Sequence, residues 1–386
     1  GNQLINGMLV LFVSAIFLDF FIVLLLLTKK PKSLTDKLLA LFIFNIGLHL
    51  LGYYQKQAGY WEQYPHLIGI TAPVVLFHGP FLYLYCLYSL RPDKILRPVD
   101  YLHFSPGIAA YLYMTKFFFF YSAEEKRLID SGAIRDFDLF SQFLLIAILI
   151  SGLSYSIASY RLTIRHRQIT REYFSFSEGV SLRWLRYCIL SIGMVFLTAT
   201  IVIFLRDSLD IRFPFDPEYI FYTIIIGFIF LVGYFGIKQE NLFVNHSLTN
   251  DSTAEGGGTE VKYKHSGIDE KKGDQLYDRL LSLMNDEQPF LEPRLTLAEL
   301  AGKLDVSPNN LSQVINQKAK VNFYDFVNDY RVEHFIENAR KNKRYSLLAL
   351  AFESGFNSKS SFNQIFRKHK GQTPSEFLSM KKTGTD

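Results

Sequence analysis

Residues 348–377, "LALAFESGFNSKSSFNQIFRKHKGQTPSEF", carry the clearest structural pattern in the sequence. Their apolar side chains recur every three or four residues, which predicts two short amphipathic helices. Gly355 permits the positive φ of a helix C-cap and Ser358 is an N-cap candidate, so a tight turn joins the helices. The pattern is that of a helix-turn-helix. Its inward faces carry Leu347, Leu350 and Ala351 on the first helix and Phe362, Ile365 and Phe366 on the second.

A second unit of the same kind precedes it, in "LTLAELAGKLDVSPNNLSQVINQKA", residues 295–319. Thr296 and Glu299 have the spacing of a capping box. Ser307 is a further N-cap, and Pro308 suits the first position of the following helix. Between the two units, residues 322–341 predict one uninterrupted amphipathic helix, which would act as a rigid spacer.

The second helix of each unit presents polar and basic side chains outward. Gln and Asn can pair bidentately with adenine and Arg with guanine, while Lys contacts phosphates. A small all-α domain with a merely solvated face is the alternative, but two reading helices at a fixed distance suit successive major grooves. The candidate DNA-contacting residues are Asn309, Asn310, Ser312, Gln313, Lys359, Ser360, Asn363, Gln364, Arg367 and Lys368.

Signatures of catalysis are not found in the sequence. It shows no glycine-rich phosphate loop, no paired metal-ligand spacing and no nucleophile elbow. Both cysteines, Cys86 and Cys188, lie in apolar runs, which argues against a disulfide framework or a zinc site. We therefore expect neither an enzyme nor a bound cofactor or metal.

The carboxy-terminal motif resembles the signature of the AraC/XylS family of bacterial transcription regulators. The upstream unit, residues 295–319, resembles that family's first helix-turn-helix, and the resemblance covers roughly residues 290–380. Members with a multi-span membrane half are found particularly in Bacteroidetes, and the whole chain is similar to those. The residues at the pattern's positions are Ala351, Gly355, Phe356, Ser358, Phe362, Phe366, Gly371, Thr373 and Pro374.

The resemblance also implies which positions read bases. They would be Asn309, Ser312 and Gln313 in the first unit and Ser360, Asn363 and Gln364 in the second. This chain departs from the pattern at two places. Ser361 stands where an aromatic residue is common, which would loosen packing. Gln364 stands where a basic residue is common, which argues against a guanine contact there.

The amino-terminal half has a different character, since nearly all long apolar runs precede residue 240 and the mean hydropathy of the chain is positive. Each run approaches the roughly 20 residues that an α-helix needs to cross a bilayer. The sequence thus predicts a seven-helix transmembrane bundle. The predicted segments are 7–28, 37–54, 68–90, 101–120, 140–160, 187–205 and 219–237.

The basic residues predict the orientation. Alternate connections 29–37, 91–100 and 161–186 hold 13 Lys and Arg, against 7 in the other three. By the positive-inside rule the amino terminus is outside and the carboxyl end is cytoplasmic. The predicted location is the bacterial inner membrane, with the lipid bilayer as one partner.

The polar carboxy-terminal half of the chain consists of two parts, a linker and a folded domain. Residues 245–267 contain a triple glycine and little that could form a core, which predicts a flexible linker. The predicted domains are thus a transmembrane sensor at 1–240, a linker at 241–268 and a DNA-binding domain at 269–386. A coil of that length transmits torque poorly, so the sequence favours signalling by association, with a homodimer as the active form.

Polar residues inside the predicted spans are candidates for a ligand site, because burying them in hydrocarbon is costly without partners. They are Asp19, Asn45, His49 and His78. An interhelical hydrogen-bond cluster is the alternative, and metal ligation is the less favoured one.

The sequence as a whole predicts an all-α protein, a seven-helix transmembrane bundle followed by a carboxy-terminal double helix-turn-helix DNA-binding domain. Its expected function is that of a one-component transcription regulator, whose membrane half couples a small-molecule or envelope signal to DNA binding. The alternative is a membrane receptor whose cytoplasmic helices bind a protein partner. The steep salt dependence of phosphate contacts would separate the two.

Overall fold

A computed structural model of the chain describes residues 2–91, 95–177, 180, 182–209, 218–238, 270–342 and 344–380. Within these residues the fold is all helical and no strand forms, as predicted. The α-helices are α1 (Asn2–Thr28), α2 (Leu34–Gln57), α3 (Tyr60–Gln63), α4 (His78–Tyr88), α5 (Ser105–Phe120), α6 (Ala123–Asp130), α7 (Asp138–Tyr173), α8 (Arg183–Leu209), α9 (Glu218–Lys238), α10 (Glu270–Asp286), α11 (Leu297–Lys303), α12 (Pro308–Val314), α13 (Phe323–Lys341), α14 (Leu347–Glu353), α15 (Lys359–Lys370) and α16 (Pro374–Met380).

The chain divides into two compact units. The first comprises Gly1–His166 and Leu182–Phe243, and the second comprises Arg167–Ser181 and Val244–Asp386. The second unit therefore includes a segment that precedes α8, which the sequence had placed in a connection between spans. The predicted linker, 241–268, lies outside the described residues.

Each of the seven predicted apolar segments overlaps helix in the structure, although residues 68–71 and 89–90 of the third form turns, and further differences concern three segments. The third and fourth begin as 3-10 helix, at Ala72–Phe77 and Pro98–Phe104, before α4 and α5. Prolines near the start of both 3-10 stretches remove amide donors and favour such local turns. The fifth is longer than predicted, since α7 continues to Tyr173.

Four helical segments of the described residues are long and apolar enough to cross a membrane. A shorter apolar helix, Tyr222–Lys238, lies within α9. The count of seven crossings therefore stays a prediction. The segments that meet the criteria are Leu9–Thr28, Leu34–Gln57, Pro65–Tyr88 and Asp138–Tyr173.

The core of the first unit is built by α1, α2, α4, α8 and α9. Ser33 starts α2 through a capping box with Asp36, whose carboxylate also accepts from Lys29 Nζ at 2.8 Å. Ile43, Leu84 and Ile229 come from three different helices and are fully buried together. Close van der Waals packing of these branched side chains joins the three helices, because lipid would offer apolar side chains no less favourable surroundings than the core does.

The second unit has two hydrophobic cores with α13 between them. One core joins α10, α11, α12 and the first half of α13, and the other joins the second half of α13 to α14 and α15. Leu276, Leu280 and Met284 place α10 inside the first core. The predicted amphipathic segment after residue 269 is thus part of the fold of the helix-turn-helix domain.

Candidate nucleic-acid interface

The first helix-turn-helix forms from the predicted caps. Thr296 Oγ1 accepts from Glu299 N at 3.2 Å and Glu299 Oε2 accepts from Thr296 N at 2.8 Å, which closes the capping box. Ser307 Oγ accepts from Asn310 N at 3.2 Å and starts α12. The turn between α11 and α12 contains Asp305 at a φ of 52°, a left-handed conformation that Asp tolerates better than bulky residues. The turn thereby directs one face of α12 outward.

That outward face carries the predicted reading residues, in two environments. Asn309 and Asn310 are exposed, whereas Ser312 and Gln313 are half-buried. Ser312 Oγ donates to Glu172 Oε2 at 3.1 Å, and Asn316 Nδ2 donates to the same oxygen at 3.1 Å. The Ser312 hydroxyl, which we assigned to DNA contact, therefore already donates its hydrogen bond to a carboxylate of the same chain.

The second helix-turn-helix also follows the prediction. Ser358 Oγ accepts from Ser361 N at 3.1 Å and begins α15, while Gly355 ends the preceding turn at a φ of 87°. A Cβ at Gly355 would lie 2.3 Å from the carbonyl oxygen of Phe290. Glycine is required here both by the backbone conformation and by the close approach of another backbone. Ser361, the departure noted above, is itself buried between the helices.

The outward face of α15 is fully accessible. Its predicted contact residues are Lys359, Ser360, Asn363, Gln364, Arg367 and Lys368, and all six are exposed. Together with Thr373, Pro374 and Ser375 at the start of α16, several of them line a concave groove. Hydrogen bonds from Thr373 hold the pKa of Glu376 below its usual range and fix the start of α16.

Ion pairs join α15 to α13. Lys368 Nζ lies 2.5 Å from Asp325 Oδ1 and Lys370 pairs with Glu333, while the His369 ring contacts the Asp329 carboxylate. The three acidic residues are spaced by four along α13 and form a ladder. Lys368, assigned to phosphate contact, is therefore shared with Asp325, and DNA would have to compete with that carboxylate for it.

Sequence reasoning missed a segment of the second unit that packs into the domain, which we call the docking segment, residues 167–177. Phe174, Ser175 and Phe176 are buried, and the Phe176 ring lies 4.7 Å below the Arg294 guanidinium. Ser175 N and Ser175 Oγ both donate to Leu295 O, at 3.2 and 2.7 Å. The run "YFSF" at 173–176 was the available signal, since such an apolar cluster is unusual in an aqueous basic connection.

Arg331, in the middle of α13, receives this segment. It is only 1% exposed, and its guanidinium donates to Ser175 O at 2.9 Å, Phe290 O at 2.7 Å and Glu292 O at 2.6 Å. It also donates to Ser175 Oγ at 3.1 Å. One buried side chain thus holds the docking segment, the 289–292 turn and the spacer helix together.

The polar residues of the first unit do not form one cluster. His49 and His78 have ring centroids 5.2 Å apart, and Asn45 Nδ2 donates to Val74 O at 3.0 Å. Asp19 is fully buried against Gly47, where a Cβ would lie 2.2 Å from its Oδ2. Gly47 lies about 200° around α2 from His49, so the carboxylate lies on a different side of the helix.

These contacts bear on the proposed ligand site. Asn45 bonds across helices, as does Tyr222, whose hydroxyl lies 3.2 Å from His49 Nε2. These two contacts agree with the alternative to a ligand site, in which the polar residues form hydrogen bonds between helices. In the part of the chain that is described, the Asp19 carboxylate oxygens have no hydrogen-bond partner, and the same is true of His49 Nδ1 and His78 Nε2. Within the same residues no group of three His, Cys, Asp or Glu side chains could hold a metal ion.

Comparison with known proteins agrees with the geometry of the second unit. Among solved structures, the chain is similar to a Listeria innocua protein of unknown function, with 26% identity, 27% of this chain and 95% of that chain covered, and a TM-score of 0.25. That score is too low to bear on the fold. No curated protein matches the chain. Residues 300–380 match the family described as "Helix-turn-helix domain", and this part of the chain is therefore a helix-turn-helix domain.

Proposed function

We propose that the protein is a membrane-embedded one-component transcription regulator of the AraC/XylS type, the membrane-integrated form known from Bacteroidetes. Its amino-terminal helices would sense a small-molecule or envelope signal, and its carboxy-terminal domain would bind DNA. The observation that carries the proposal is the pair of helix-turn-helix units at the two ends of α13. A small all-α domain whose outward faces only contact water would not require two such units held at a fixed distance by one helix.

The outward faces supply the required chemistry. On α15, Ser360, Asn363, Gln364 and Arg367 recur at intervals of three or four, so they form one strip along the helix. Asn and Gln on such a strip can pair with adenine edges, and Arg367 can reach guanine or a phosphate. No cofactor is needed for this recognition, and none of it resembles catalysis.

The membrane location is supported by apolar surface on the first unit. Phe17 is 77% exposed, Ile150 is 61% exposed and Phe120 is 81% exposed, on three different helices. Exposed apolar area on this scale is typical of a lipid-facing surface. With the bias of basic residues, this favours the bacterial inner membrane, an outside amino terminus and a cytoplasmic carboxyl end.

Asp19, Asn45, His49 and His78 stay proposed signal-binding residues, with Asn45, His49 and His78 on one side of α2 and Asp19 on another. A buried carboxyl group within a membrane span is costly and is usually retained for a function. The homodimer also stays a proposal. Its support is the sequence argument that two tethered domains reach a high local concentration.

The test is DNA binding by the full chain in lipid nanodiscs, measured by fluorescence anisotropy on duplexes selected from a random pool. Because each neutralised phosphate releases counterions, affinity should fall at least about 100-fold between roughly 50 and 200 mM salt. Selection of no sequence, or an affinity that salt leaves unchanged, would contradict DNA binding. The receptor with a protein partner would then be the better account.

Sequence preference should depend on Gln313 and Gln364. Gln313→Ala and Gln364→Ala are each expected to relax preference at one or two base positions by about 1–3 kcal/mol, because a bidentate contact is lost. Lys368→Ala should weaken all sequences about equally, and only slightly, since Asp325 already shares this lysine. Repeating the selection with each variant measures this. Unchanged preference at every position for both Gln variants would show that the reading faces are wrongly assigned.

A further inference from the structure

The docking segment places the Glu172 carboxylate against the first reading helix, α12, where it accepts hydrogen bonds from the face assigned to DNA. Glu172 Oε2 accepts hydrogen bonds from Ser312 Oγ and Asn316 Nδ2, both at 3.1 Å. Both donors lie on the outward side of the helical run that begins with α12. The Glu172 carboxylate oxygen accepts hydrogen bonds from this face in the same way that an acceptor atom of a base or a phosphate oxygen of DNA would.

DNA and Glu172 therefore compete for the same surface. A duplex seated on α12 would need the Ser312 hydroxyl and would bring phosphates close to the Glu172 carboxylate. Like charges at short distance repel each other, and the repulsion is strongest where water is excluded. The first reading helix cannot both hold Glu172 and lie in a major groove with its full set of contacts.

The segment is anchored and is not a loose contact. Ser175 exchanges hydrogen bonds with Leu295, Asn328 and Arg331, and Asn328 Nδ2 donates to Ser175 O at 3.1 Å. Phe174 and Phe176, the sequence neighbours of Ser175, are both buried, and their ring centroids lie 5.4 Å apart. Removing these rings from water stabilises the docked position.

The same segment is covalently part of a candidate membrane span. Glu172 lies in the last turn of α7, which begins at Asp138 and includes the apolar run of the fifth predicted segment. A helix transmits rotation and axial shift along its length, unlike a glycine-rich coil. Because Glu172 lies on the same helix as that span, a rotation or axial shift of the span would move the Glu172 carboxylate.

We propose that the docking segment is an autoinhibitory clamp on the first helix-turn-helix, and that the signal acts by withdrawing Glu172 from Ser312 and Asn316. This proposal rests on the proposed DNA-binding function. In the clamped form α15 remains accessible and gives weak binding through one reading helix. Release of α12 lets both reading helices contact DNA and adds the specificity of the first helix-turn-helix. Signalling by association through the 241–268 linker is then unnecessary.

The experiment compares Glu172→Ala with Glu337→Ala in the full chain in nanodiscs. Glu337 is an exposed carboxylate on α13, so its removal changes the charge equally without touching the clamp. Glu172→Ala should raise affinity for the selected duplex at least roughly fivefold, because two charge-assisted hydrogen bonds no longer oppose DNA. Glu337→Ala should change it less than about twofold. Equal affinities, or weaker binding by Glu172→Ala, would overturn the clamp.

A second readout does not depend on DNA. Hydrogen exchange of the Ser175 amide, which donates to Leu295 O in the docked form, should be faster in Glu172→Ala than in Glu337→Ala. Unchanged exchange would refute the clamp even if no variant binds DNA. Failure of all variants to bind DNA, together with faster exchange, would instead refute the proposed function and leave an intact clamp on a different partner surface.

Discussion

Replacing Arg331 with methionine should destabilise the helix-turn-helix domain by about 3–5 kcal/mol, because several buried hydrogen bonds from one charged group are lost together. Methionine keeps most of the stem but removes every donor. Phe290 O would lose the donor that reaches it at 2.7 Å. Ser175 O and Glu292 O would lose the donors at 2.9 and 2.6 Å, but would still accept from Asn328 Nδ2 at 3.1 Å and from Leu295 N at 3.3 Å. A buried acceptor left without a donor costs about 1–3 kcal/mol.

Native-state hydrogen exchange of the full chain measures this as the opening free energy of amides in α13. Arg340→Met is the matched control, because Arg340 is an exposed arginine on the same helix and should change that free energy by less than about 0.5 kcal/mol. Arg331→Lys, which keeps a charge and some donors, should lie between the two. If Arg331→Met behaves like the control, the bonds of Arg331 do not hold the domain together.

Gly355→Ala should have the second largest effect, about 3 kcal/mol or more. A φ of 87° is left-handed, and an L side chain there costs about 1–2 kcal/mol. The added Cβ would in addition lie 2.3 Å from Phe290 O and 3.0 Å from Arg331 Nε. Backbone of the 289–292 turn would have to move, and with it the partners of Arg331.

Gly302→Ala serves as its control. Gly302 lies in α11 with nothing within 4 Å of an added Cβ. Alanine there should stabilise the domain by about 0.5–1 kcal/mol, since glycine is a poor helix residue. The opening free energy of amides in α15, from hydrogen exchange, distinguishes the two substitutions. A Gly355→Ala variant as stable as wild type would show that the turn is not held in the described conformation.

The local structure of the DNA-binding half was predictable because its signals are short-range. Thr296, Ser307 and Ser358 cap helices through contacts only three residues away, and Gly355 is required by its own backbone conformation. The inward faces of α12 and α15 follow from a period of 3.6 residues. These features confirmed the all-α double helix-turn-helix.

The docking segment could not be predicted, because its partners are distant in sequence. Ser175 lies 156 positions from Arg331 and 120 from Leu295, and no periodicity connects such residues. The same limit applies to Ser312, whose hydroxyl donates to Glu172, 140 positions earlier in the chain. In the membrane half, composition marks apolar helices but does not reveal which side chains face each other. Asp19 and His49 therefore seemed able to share a site.

We expect the intact protein to bind specific DNA from within the membrane. This expectation is tested most directly by cross-linking native bacterial membranes, recovering the full-length protein and sequencing the DNA bound to it. The matched control is a variant carrying Asn363→Ala, Gln364→Ala and Arg367→Ala together. We expect a small number of discrete chromosomal sites sharing one motif, and their loss in the variant. Recovery of the same DNA by wild type and variant, spread without a common motif, would contradict the account.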